Sequence, residues 1–341
     1  MKTKWFLCFV IVLVLWTKVQ AEPINFPICT DTAEQTRPVV SGNIVVWEDW
    51  RNGNQNRDIY GYNLSTNTEF SICTESTHQS TPAISGDVVV WEDGRNGSRD
   101  IYAYNLTTNT EFSISAYNTV QSEPAIDGNI VVWEDRRLGK SAIWAYDLLT
   151  NTEFPISPFS EGSQIDPDIS GNIVVWQEFH DPGFDIYGYN LLTNTKFPIC
   201  TDNLDQYTPA ISGNIVVWED HRRGFFDIYG YDISTNTIFL ISEGGSRSRL
   251  DPAISGNIVV WEDRDIPVVD IYGYDLLTNT EFPISIDVAS QHHPSVNGNT
   301  IVWLDFRDVN GNIYGATIPE PSTIVMLVTG LIAGGFLIRR K

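Results

Sequence analysis

The stretches PAISGNIVVWED at 209–220, DIYGYDI at 227–233 and TIFLIS at 237–242 decide how this chain folds. The PAIS segment is too short to be anything but an inner strand, and none of the stretches has a 3.6-residue apolar period. Ser212-Gly213-Asn214 is a tight-turn sequence in which glycine supplies a positive φ. After it, Ile215-Val216-Val217-Trp218 runs four large apolar residues together, so this strand is buried on both faces, as in stacked sheets. The next strand alternates Tyr229 and Tyr231 with the small Gly230. A Ser-Thr-Asn-Thr turn leads to the last, whose counterparts in several copies carry a proline suited to an outer edge.

The unit recurs seven times. Trp47, Trp91, Trp133, Trp176, Trp218, Trp261 and Trp303 mark it at intervals of 42 to 44 residues. Four short antiparallel strands per unit at this period are what a β-propeller blade requires. The indole is expected to fill the gap between neighbouring sheets, where such a ring buries roughly 150–250 Å². The seventh copy ends after NIYGATI at 312–318, lacking its fourth strand, while an orphan strand of that type, Asn25–Cys29, precedes the first copy. The expectation is an all-β, seven-bladed propeller of four-stranded antiparallel blades over 22–318, its ring closed by the N-terminal strand. Closure removes an edge that would otherwise invite aggregation.

The blocks Pro-Ala-Ile, Val-Trp-Glu-Asp, Asp-Ile-Tyr and Tyr-Asn-Leu make the unit similar to the TolB-like propeller repeat, and closer still to its surface-protein version. The resemblance spans 25–318 and implies a fold; such propellers serve as scaffolds, binding platforms and sometimes enzymes.

The ends read as addresses. Lys2 and Lys4, an apolar run from Trp5 to Trp16, and Val19-Gln20-Ala21 form a secretory signal over 1–21, with cleavage expected after Ala21. At the other end Pro319-Glu320-Pro321 precedes an apolar segment, 324–338, and Arg339-Arg340-Lys341. A helix-breaking linker, a marginal membrane segment and a basic stop resemble the PEP-CTERM sorting signal, over 319–341. The resemblance implies processing by an exosortase-type enzyme and delivery to the cell surface or extracellular matrix; a permanent single-pass anchor is the alternative.

Of 341 residues, 42% are hydrophobic, enough for a sizeable core. Between 22 and 318 there are 15 basic and 42 acidic residues, about −27 net. Such a charge repels phosphate backbones, which argues against nucleic acid as a partner. Cys29, Cys73 and Cys200 share a repeat position with Ser115, Ser157, Ser242 and Ser285, and read as small strand-end residues rather than a disulfide framework.

Three residues before the inner-strand proline, six copies carry glutamine: Gln35, Gln79, Gln121, Gln164, Gln206 and Gln291; the sixth copy has Arg249. These loops should ring one channel mouth, where an amide suits sugar hydroxyls or its own loop backbone. Tyr207, His78, His292 and His293 make that mouth uneven. The acidic hairpins, such as Glu219-Asp220 with Arg222 and Asp227, read as turns satisfied by arginine rather than cation sites. Adjacent His292 and His293 should point to opposite sides of an extended segment, which disfavours a metal. With no nucleophile elbow and no phosphate loop, the expectation is an exported, non-catalytic surface module without cofactor, binding exopolysaccharide or a surface protein through Gln35, Gln79, Gln121, Gln164, Gln206, Arg249, Gln291, His292 and His293. The alternatives are a lyase-like polysaccharide enzyme at the channel mouth and a purely structural spacer.

Overall fold

In a computed structural model, the described residues are 16–19, 23–53, 56–157, 162–242, 245–265, 267–308, 310–318 and 322–325. Ala21 and Pro319-Glu320-Pro321 lie outside them, as does most of each terminal apolar segment; Trp16–Val19 pairs antiparallel with Ser322–Val325.

Seven four-stranded antiparallel sheets form the blades. Blade five, for example, runs Gln206–Ser212, Ile215–Asp220, Asp227–Asp232 and Thr237–Ser242 from axis to rim. The inner strand is longer than its apolar core suggests, because it continues back through the glutamine across a bulge between Tyr207 and Ala210. The other blades repeat the plan. Ile24–Cys29 completes blade seven, pairing Phe26 with Gly315 and Pro27 with Tyr314. The ring closes as the orphan strand implies.

Seven apolar clusters fill the seven gaps between blades. In one, Trp261, Val259 and Ile254 of blade six pack on Val217, Ile228 and Ile241 of blade five. At the seam, Trp47, Val40 and Val45 pack on Ile28, Cys29, Val302 and Ile313. All seven repeat tryptophans are fully buried. Small residues on the third strand make room for the fourth: a Cβ on Gly230 would meet the Phe239 ring at 2.6 Å.

A buried indole N–H must find an acceptor. Trp218 Nε1 donates to Asp220 at 2.9 Å, and Arg222 joins the same carboxylate at 2.6 Å. The Arg222 guanidinium also lies 4.3 Å from the Tyr229 ring centre, a cation–π contact. Its Nη2 is 3.2 Å from Cys200 Sγ; in blade three Arg137 meets Ser115 Oγ at 3.4 Å instead. Cysteine and serine alternate because both accept from one guanidinium. The three cysteines are free, and burial pushes the thiols of Cys29 and Cys73 up to about 12 and that of Cys200 to about 11.

The hairpin between first and second strands joins each blade to the one before. Gly213 (φ 58°) donates its N–H to Ser170 Oγ at 2.9 Å, and the same bond recurs at Gly86, Gly128, Gly171, Gly256 and Gly298. At the seam Gly42 donates to Asn297 Oδ1 at 2.9 Å, so this set runs round the whole ring.

Two substitutions separate these contributions. Asp220→Ala leaves a buried indole and a guanidinium without their shared acceptor and should lower stability by about 3–5 kcal/mol. Ser212→Ala removes one inter-blade bond and should cost about 1 kcal/mol. Chemical denaturation of the full chain measures both.

Candidate functional site at the channel mouth

Each inner strand has one residue, directly before its proline, in the left-handed region. These are Arg37, Thr81, Glu123, Asp166, Thr208, Asp251 and His293, with φ between 49° and 52°. Non-glycine residues rarely adopt this conformation, and for β-branched threonine it is a strained one. The strain is held from next door. The carboxylate two positions after each glutamate-bearing Val-Trp motif's valine reaches the N–H of the left-handed residue in the following blade: Glu48 to Thr81 at 2.8 Å, Glu92 to Glu123 at 2.9 Å and Glu134 to Asp166 at 3.1 Å. Gln177, Glu219 and Glu262 do the same for Thr208, Asp251 and His293. In the seventh copy Leu304 occupies that place and offers no oxygen.

The seven left-handed residues converge on the axis around a cavity of about 440 Å³. Arg37 crosses part of it, donating to Thr81 Oγ1 at 2.9 Å and lying 3.8 Å from Glu123. Opposite, His293 Nδ1 is 2.9 Å from Asp251 Oδ2, and Gln177 donates to Asp166 at 2.5 Å. Burial raises Glu123 to about 7, against the pull of Arg37, and raises Asp166 as well. Burial works against ionisation of both members of the His293–Asp251 pair, yet their contact raises the imidazole above its usual value and holds the carboxylate below its own.

The glutamines sit elsewhere. Gln35, Gln79, Gln121, Gln164, Gln206 and Gln291 are all fully buried. Five turn the amide N–H back on their own loop, as Gln79 does to the Thr77 carbonyl at 2.6 Å, and Gln164 donates to Glu178 at 3.0 Å. The mouth is formed two residues further on. Arg249 is also buried, 3.2 Å from Asp263. Its place follows from charge: blade six has no arginine at the position of Arg222, and Arg249 supplies the missing cation. In blade four Lys196 does so, 2.5 Å from Glu178. Trp261 Nε1 has no acceptor in this altered arrangement.

Of the proposed residues only His293 lines the cavity. His292 instead contacts Glu262 at 3.2 Å and the Phe306 ring. His293 is left-handed, and Glu262 Oε1 meets the His292 ring and the His293 backbone N–H, with the two rings 6.3 Å apart. His78 lies in a separate cleft with Arg57 and Thr77. Tyr207 packs against Phe184 and Phe226 beside the mouth.

Asp251, Glu262 and His293 bring three donor atoms within 4.8 Å of one another. Two carboxylates and an imidazole suit a divalent ion by type, but these atoms already satisfy each other, and Arg264 lies 3.2 Å from Glu262. As arranged, the group is an ion-pair cluster. The hairpin Glu-Asp pairs are likewise committed, the aspartate to indole and arginine and the glutamate to the next blade's backbone.

The PEP-CTERM protein-sorting motif matches residues 317–341. It marks an exported surface protein and is a recognition signal for exosortase processing. No curated protein matches the chain. Among solved structures, an oligogalacturonate lyase in complex with manganese is similar at 15% identity and TM-score 0.66, with 92% of this chain and 99% of that one covered. TolB from Acinetobacter baumannii aligns at 14% identity and TM-score 0.55, over 78% of this chain and 66% of that one. An acylaminoacyl peptidase in complex with a chloromethyl ketone aligns at 15% and 0.61, over 80% of this chain and 49% of that one. The class is therefore an exported protein with a seven-bladed propeller, and the propeller fold is what these solved structures share. The likenesses correct one expectation. Propellers of this build occur in a lyase and in a peptidase, so regular blades are no ground for excluding an enzyme.

Burial raises Glu134 and Glu219, like Glu123, to about 7. A carboxyl raised in the folded state binds more protons there than when unfolded, so its contribution falls as pH climbs through about 7. The raised His293 acts in the same direction. Thermal unfolding should show higher stability near pH 5.5 than at pH 8, with a smaller difference in Glu219→Gln. Arg249→Gln takes the buried cation from Asp263 and leaves it Arg247 at 3.7 Å, so it should cost roughly 2 kcal/mol, although it restores the residue of the other six blades.

Proposed function

We propose that this exported propeller binds polysaccharide at the cell surface or in the extracellular matrix, with the ligand seated at the channel mouth. The observation that carries the reading is where the symmetry fails. Around the axis the scaffold is nearly identical in every blade, while the strained position facing the cavity carries arginine, threonine, glutamate, aspartate or histidine. Backbone strain retained in the same place in all seven blades suits a site that must present side chains rigidly. Hydroxyls on Thr81 and Thr208, carboxylates on Glu123 and Asp166, and the Arg37 guanidinium provide donors and acceptors for a polyhydroxylated ligand. The acidic domain disfavours polyanionic chains.

The export reading extends to the ends of the chain. Residues 1–21 are removed after Ala21, the propeller spans 22–318, and the 319–341 segment holds the protein in the membrane through 324–338 until an exosortase-type enzyme acts at Pro319-Glu320-Pro321. Intact-mass and N-terminal analysis of protein recovered from the cell surface should give a chain beginning at Glu22; a retained Met1 end would refute this.

Affinity electrophoresis of the full chain against matrix polysaccharides tests the binding. A double substitution Arg37→Ala, Thr208→Val should weaken retention about tenfold with unchanged unfolding temperature. Equal retention of variant and parent would remove the mouth from the reading.

A further inference from the structure

The sevenfold repeat makes departures from it easy to see, and one of them is aromatic. In blades one and two, Arg57 and Arg99 stand just before the third strand, each 3.0 Å from the glutamate of its own second strand, Glu48 and Glu92. Blades four and five carry Phe184 and Phe226 at that position. Blade four also has Gln177 where the others of this group have glutamate. Blade four has lost both charges of the pair, while blade five has lost only the arginine and keeps Glu219, with Asp205 beside Tyr207 and Phe184.

The rings that replace the arginines belong to a row. Phe179 and Phe184 meet edge to face at 5.3 Å between centres. Phe184 is 5.5 Å from Tyr207 across the blade boundary, and Tyr207 is 5.9 Å from Phe226. Phe226 then stacks on His221 at 4.7 Å. Phe179 is 42% exposed and the other four are half-buried. The backbone below is rigid: Asp205 Oδ1 accepts the Phe184 N–H at 3.0 Å, and the Tyr207 segment belongs to the inner strand. Tyr207 directly precedes Thr208, which lines the mouth. The row therefore lies, at Tyr207, one residue along the chain from the cavity.

We infer that this aromatic row is a subsite for an uncharged polysaccharide chain, whose sugar C–H faces stack on the rings from Phe179 to Phe226 and whose hydroxyls reach Thr208 at the mouth. This rests on the reading of the protein as a polysaccharide binder and adds where and what it binds. Aromatic rings offer a large, stiff contact area at little entropic cost. The arginines are gone from this row while Glu219 and Asp205 remain beside it, so with the net charge of the domain it repels a polyuronate and leaves a neutral chain as the fitting ligand. An arginine pair as in blades one and two would present charge where blades four and five present aromatic rings.

Affinity electrophoresis of the full chain through gels containing a neutral glucan, a neutral galactomannan or alginate tests the subsite. Retention by one of the neutral polymers and not by alginate is expected. Tyr207→Ala and Phe184→Ala should each reduce that retention at least tenfold, Tyr207→Trp should keep it, and unfolding temperatures identify any variant that lost binding by losing its fold. If retention falls only in Arg37→Ala, Thr208→Val and persists within twofold in Tyr207→Ala, the row is overturned while polysaccharide binding stands. If the parent chain is retained by alginate alone, the neutral subsite is overturned while polysaccharide binding stands; if it is retained by no polymer, the row is overturned and the polysaccharide reading falls with it.

Discussion

The structure depends on one buried interaction, a tryptophan indole donating to a carboxylate that a cation neutralises. The indole must fill the gap between sheets, and its N–H calls for an acceptor there. In six blades the carboxylate two residues on accepts it, an aspartate in five and Glu178 in blade four, while Trp261 of blade six goes without. A fully buried carboxylate in turn needs a positive partner. The chain meets that demand in every blade, and the source of the cation varies: Arg222 in blade five, Lys196 in blade four, Arg249 in blade six. Once charge balance is taken as the constraint, the odd residues of blades four and six have a reason.

Two sets of hydrogen bonds then join the blades. On one face, glycine N–H groups of the hairpins donate to Ser, Asp or Asn of the preceding blade all the way round. Near the channel mouth, second-strand Glu or Gln side chains hold the left-handed residues at six of the seven boundaries, and Leu304 leaves the seam without this contact. The seam is instead secured by the N-terminal strand and by its own apolar cluster. Rigidity at the mouth is therefore produced by neighbouring blades and not by the residues that face the cavity. Those residues are free to differ, and they do.

The same logic bears on function. A site built on a symmetric frame is recognised where side chains vary while their supports do not. The left-handed residues satisfy that test around the cavity, and the Phe179–His221 row satisfies it beside blades four and five. The glutamines fail it: they recur because each closes its own loop, and a residue spent on its loop cannot also face a ligand.

Period, strand count, blade number and ring closure were all legible in the residues, because burial on both faces, glycine turns and a missing strand are local facts with one global solution. So was the sorting tail, as an ordered run of linker, apolar segment and basic end. The glutamine ring was misplaced for a physical reason. In sequence the glutamines read as loop residues ringing the mouth, but each opens an inner strand. Each spends its amide on its own loop or, at Gln164, on Glu178, while the left-handed residue two positions on faces the cavity. A signal for it was present in the one variable residue before an invariant proline in seven copies. Only the tertiary structure could decide that Arg249 serves Asp263, that Glu219 holds Asp251, and that Phe184, Tyr207 and Phe226 meet across a blade boundary. Those contacts join residues 14 or more positions apart: Arg249–Asp263 and Tyr207–Phe226 within one blade, Glu219–Asp251 and Phe184–Tyr207 across a boundary, and their distances are set by how strands pair and blades stack.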